Sequence, residues 1–79
     1  MRGAIASHVA RILREEREKR GLSMTVLAER AGLSQAMISF VEREIRNPSL
    51  DTLLRIAEVF DLELGDIIKR AYKAAAKSK

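Results

Sequence analysis

Apolar side chains recur along this chain at three- and four-residue intervals, the spacing of one face of an α-helix. Ile5, Val9, Ile12 and Leu13 follow it among charged residues and predict a first helix over about 4–20, closed by Gly21 at a left-handed cap position. Ser23 is a good N-cap for a short second helix through about Arg30. Gly32 breaks that helix, and Ser34 caps a third that runs to about Glu44. Arg46-Asn47-Pro48 reads as a loop. Ser49 then caps a fourth helix whose apolar face is Leu50, Leu53, Leu54, Ala57 and Phe60. After a brief turn at Asp61-Leu62-Glu63, a last helix starts near Leu64 and carries Ile67, Ile68 and Tyr72. No segment alternates as a strand would. The expected fold class is all-α, a compact five-helix domain over residues 1–73 with a basic, disordered tail over 74–79.

Composition narrows the chemistry. The chain has 79 residues, enough for one domain with a modest core, and 47% of them are hydrophobic. It has no cysteine and one histidine, His8, so disulfides and thiolate or histidine-rich metal sites are excluded. No catalytic constellation of carboxylates or glycine-rich loop stands out, and neither an enzyme nor a cofactor is expected. No apolar run has the length of a membrane span or a signal peptide, which leaves a cytoplasmic location and no membrane partner. The net charge of +4 is unevenly spread. Residues 1–50 carry nine basic and six acidic side chains, residues 51–68 one and five, and residues 69–79 five and none. Charge alone is therefore weak evidence for nucleic acid.

The spacing within the second and third helices is more informative. Ala28 is small enough for the next helix to cross closely, and Gly32 permits a tight turn with positive φ. Leu27, Leu33, Ile38 and Val41 fill the wedge between the two helices. These are the parts of a helix-turn-helix, whose second helix enters the DNA major groove. At these residues the sequence resembles the Cro/cI-type, lambda-repressor-like regulators. The likeness extends from about Ala10 to Ile68. It takes in Arg17-Glu18-Lys19-Arg20-Gly21-Leu22-Ser23, Leu27 to Ser34, Ile38 to Arg43, Asn47-Pro48-Ser49-Leu50 and Leu53 to Ala57.

That resemblance implies a transcription regulator that reads an inverted-repeat operator on double-stranded DNA as a homodimer. With Ile38 and Val41 inward, Ala36, Ser39, Phe40 and Arg43 face out at about 100° per residue. Gln35 lies at the helix start, where relatives present side chains to base edges, and its amide suits adenine. The expected base contacts are Gln35, Ala36, Ser39 and Phe40. The expected phosphate contacts are Arg43, Arg46 and Asn47, with the helix starts at Ser23 and Ser34. The family also implies an ion pair between Arg17 and Glu42. Three positions depart from its pattern: Met24 where relatives often carry a polar side chain, Phe40 in place of a polar reader, and Glu44 in place of a small residue. Met24 and Phe40 therefore leave open a protein partner, as in an interaction module or an antitoxin. Val59, Phe60, Leu64, Ile67, Ile68 and Tyr72 exceed what so small a core should enclose, and they form the expected dimer interface, the alternative being that the last helix folds back and covers them within one chain.

Overall fold

The computed structural model of the chain describes residues 2–77, and five helices account for most of them. They are α1 (Arg2–Lys19), α2 (Met24–Ala31), α3 (Gln35–Glu42), α4 (Leu50–Val59) and α5 (Leu64–Lys77). Leu13, Leu27, Ile38, Ile56 and Ile67, one from each helix, are the largest fully buried side chains. A single core thus draws on every element. α2 packs on α3 and α4, while α1 lies along α5 and also touches α3.

The helix boundaries are set by local chemistry. Ser23, Ser34 and Ser49 each accept a hydrogen bond from the backbone N–H three residues on, that of Val26, Met37 and Thr52, all at 3.1 Å. The first four helices share one ending. The N–H groups of Leu22, Leu33, Ile45 and Leu62 donate to the carbonyls of Arg17, Ala28, Phe40 and Ala57, at 3.1, 2.9, 3.0 and 3.0 Å. Each such closure needs a left-handed residue just before the donor. Gly21 (φ 68°) and Gly32 (φ 70°) supply it after α1 and α2, Glu44 (φ 58°) and Asp61 (φ 55°) after α3 and α4. Leu22, Leu33 and Leu62 then turn back against the core, whereas Ile45 remains exposed.

Three expectations need correction. On α4 the buried stripe is Thr52, Ile56 and Ala57, continued by Phe60, while Leu50 and Leu54 face outward. Thr52 can sit in the core because Ser49 Oγ donates to its hydroxyl at 3.0 Å, and among the described residues no buried side-chain nitrogen or oxygen is left without a partner. The expected disordered tail is instead helical through Lys77, since Ala71 and Ala75 continue the buried face that Ile67 begins. Ser78 and Lys79 lie outside the described residues. The expected dimer face also divides. Phe60, Leu64 and Ile67 are buried within the chain, because α5 folds back onto α1 and the end of α4. Val59 opens on another side, next to Gly32, Arg55 and Glu58. Ile68 and Tyr72 share an open groove with Ile5, Val9 and Leu53.

Candidate nucleic-acid interface

α3 presents to solvent the face that the helical spacing predicts. Ile38 and Val41 are buried, Gln35, Ala36 and Arg43 are exposed, and Ser39 and Phe40 are half-buried at the edges. The α2–α3 turn that aims this face passes through Gly32, where an added Cβ would stand 3.0 Å from Arg55 Nη1. The same Arg55 nitrogen donates to the Ala31 carbonyl at 3.4 Å, so α4 braces the turn from behind. Arg46 and Asn47, in the loop that leaves α3, are exposed. The Arg46 guanidinium lies 4.8 Å from the centre of the Phe40 ring, close enough to hold the ring from one face.

A charge clasp fixes α3 against α1. Arg17 Nε and Nη2 donate to the two carboxylate oxygens of Glu42 at 2.7 and 3.0 Å, a bidentate fork, and Arg17 Nη1 donates to the Leu22 carbonyl at 2.8 Å. Both side chains are largely withdrawn from solvent, 11% and 3% exposed. The hydrogen bonds to Glu42 raise the Arg17 pKa above its ordinary value, against the effect of burial. Nearer the tip of α3, Ser7 Oγ donates to Glu44 Oε1 at 2.7 Å.

Two arrangements have no counterpart in the sequence reading. Glu16 is buried on α1 and is ringed by Arg20, Arg70 and Lys19, the last two at 3.1 and 3.8 Å. Its pKa is lowered, chiefly by the hydrogen bond from Arg20 and against the desolvation that would raise it. Arg20 also donates to the Phe60 carbonyl at 2.9 Å and stacks 4.8 Å from the Phe60 ring, tying α1 to the end of α4. The excess of positive residues around Glu16 in the sequence gives a faint signal of this. The second arrangement is a contact from Gln35 Nε2 to Met24 Sδ at 3.6 Å, which a hydropathy pattern cannot register. Among the described residues no group of three or more His, Asp or Glu side chains could hold a metal ion, and no helix is long and apolar enough to cross a membrane.

The helix-turn-helix family model matches residues 13–67, from the first fully buried leucine to the last fully buried isoleucine. An HTH-type transcriptional regulator of Mycobacterium tuberculosis, otherwise uncharacterized, is 41% identical over 59 residues, which cover 75% of this chain and 42% of that protein. The chain spans 17–44% of the length of the curated relatives that it matches at 37% identity or more. Among solved structures, the biofilm master regulator SinR in complex with DNA is similar at 28% identity and a TM-score of 0.70, over 76% of this chain and 97% of that one. The clp gene regulator ClgR of Corynebacterium glutamicum shares the fold at 22% identity and a TM-score of 0.83, over 94% of this chain and 79% of that one. With the family model matched over residues 13–67, most of its length, the chain belongs to the Cro/cI-like helix-turn-helix family of DNA-binding transcriptional regulators.

Proposed function

We propose that this protein regulates transcription in the cytoplasm by binding an inverted-repeat operator as a homodimer, with α3 of each protomer in the major groove. One observation carries the reading. The exposed face of α3 is held rigidly by the Arg17–Glu42 clasp and flanked by the exposed cations Arg43 and Arg46. Rigid support of a reading helix is what base recognition requires, and flanking cations supply the affinity for phosphate. In this reading Gln35, Ala36, Ser39 and Phe40 meet base edges. Arg43, Arg46, Asn47 and the helix starts at Ser23 and Ser34 meet phosphates. SinR, whose DNA complex is among the similar structures, lends support from outside the chain.

The state of Phe40 and Met24 favours DNA over a protein partner at this face. One side of the Phe40 ring is covered by Arg46, and Met24 is half-buried beside Gln35, so neither adds to an open apolar patch. The dimer contact in this reading uses Ile68 and Tyr72 with Leu53 and Leu54, which are among the apolar side chains that the single chain leaves accessible on α4 and α5. A two-fold arrangement would space the two copies of α3 by one DNA turn, roughly 34 Å.

The test is selection from random duplex DNA with the purified protein. The expected product is a two-fold symmetric sequence with half-sites one turn apart. Gln35→Ala should then relax the preference at one base pair per half-site by about 1–3 kcal/mol, while Arg46→Ala weakens all duplexes alike and flattens the salt dependence. Recovery of no preferred duplex would remove the proposal.

A further inference from the structure

Gln35 opens α3 and Met24 opens α2, each one residue after its serine cap. The caps fix where both side chains leave the backbone. Met24 is also packed against the core, so its sulfur is a positioned group rather than a wandering one. Across the gap between the helices, Gln35 Nε2 donates to Met24 Sδ at 3.6 Å.

The two ends of a carboxamide differ: the nitrogen donates two hydrogen bonds and the oxygen accepts. A thioether has lone pairs but no proton to give. Only the nitrogen end of Gln35 can therefore face Met24, since the reversed amide would set oxygen lone pairs against sulfur lone pairs. One N–H is occupied at the sulfur. The oxygen and the second N–H remain for whatever lies against α3. In the major groove, adenine offers a donor at N6 and an acceptor at N7, which matches one acceptor and one donor. Guanine offers two acceptors, O6 and N7, and calls for two donors.

We infer that Met24 is a specificity-determining residue, which holds the Gln35 carboxamide with its oxygen outward and so selects adenine over guanine at the base pair that Gln35 reads. This rests on the DNA reading above. Met24 touches no base itself; it acts by orienting the residue that does.

Met24→Leu tests it, because leucine keeps the volume and apolar packing of methionine but has no acceptor. The first readout uses the free protein. Nuclear magnetic resonance should show the Gln35 Nε2 protons shifted in the variant, with amide signals remote from α2 and α3 unchanged. The second readout is the ratio of Kd values for operators with adenine or guanine at that base pair. Wild type should prefer adenine, and Met24→Leu should reduce the preference about two- to fivefold, the scale of one weak hydrogen bond, without changing affinity for unrelated duplexes. A merely structural role would weaken every duplex together and leave that ratio intact. Unmoved Nε2 protons or an unchanged ratio would overturn the proposal while leaving the DNA reading in place. A wild-type protein that discriminates among no duplexes would overturn both.

Discussion

Two buried carboxylates join helices in this protein, and their partners make them respond to different perturbations. Glu42 is held by a single guanidinium, so removing it strands Arg17 with only the Leu22 carbonyl. Glu42→Ala should cost about 3 kcal/mol, the lower part of the range for a broken buried pair, because that carbonyl contact survives. A double-mutant cycle with Arg17 checks it, and a coupling near zero would reject the clasp. Glu16 has several cationic neighbours, and its response is to pH. Its folded-state pKa is lowered, chiefly by Arg20, so the unfolded chain binds the proton more readily. The resulting stability is complete above the ordinary glutamate value of 4.5 and is lost as pH falls from there through the lowered folded value. Denaturant melts should therefore show an acid limb below about pH 4.5 that is shallower in Glu16→Gln; equal slopes would rule Glu16 out as its source. Of these groups, only the Arg17–Glu42 pair was legible in the sequence, and that through family resemblance. Glu16 looks like one more charge on a charged helix, and Met24 stands out only as an apolar residue where relatives often carry a polar one, with nothing to show its contact with Gln35.

The helices themselves were read well wherever a boundary residue has a single chemical purpose. Ser23, Ser34 and Ser49 announce helix starts, and Gly21 and Gly32 announce ends. The ends of α3 and α4 were less visible because Glu44 and Asp61 adopt the same left-handed backbone without being glycine. That difference is measurable. Asp61→Gly should stabilise the protein by up to about 1 kcal/mol, and Gly21→Ala should destabilise it by about 1 kcal/mol, since a Cβ is what this conformation penalises. Thermal denaturation of the two variants checks the pair, and shifts of the same sign would contradict it. The α4 stripe was misread because Leu50 and Leu54 outrank Thr52 in hydropathy, yet the serine cap at Ser49 neutralises the threonine hydroxyl and lets it turn inward. The end of α5 was misread for a related reason. Alanine carries little apolar area, but Ala71 and Ala75 are the size that lets two helices approach closely.

For the whole molecule, the sequence supplied an accurate list of bulky apolar residues and no measure of their depth. Ile67 and Tyr72 stand five residues apart on α5, yet one is 0% exposed and the other 55%. Ile67→Ala should cost 2–5 kcal/mol, on the order of what a buried isoleucine contributes, and leave so small a domain near its unfolding threshold. Tyr72→Glu should keep the wild-type melting temperature. If Tyr72 serves the proposed dimer, the variant should also sediment as a monomer and lose cooperative operator binding. Unfolding of Tyr72→Glu would show that the residue belongs to the core instead.

The serine starts and the shared helix endings have one more consequence, for the speed of folding. Every one of those bonds joins residues no more than five apart in sequence. Each helix can therefore find its limits before it meets a neighbour. The bonds that tie distant parts together, from Arg17 to Glu42 and from Arg20 to Phe60, bridge 25 and 40 positions and close long loops. A chain dominated by local closure should refold in microseconds to milliseconds, as helical domains of low contact order do. Temperature-jump relaxation measures this directly, and refolding over seconds would contradict it. Ser34→Ala should slow that refolding, whereas loss of Arg20 should chiefly speed unfolding, because the long-range ties are made only after the helices have taken shape.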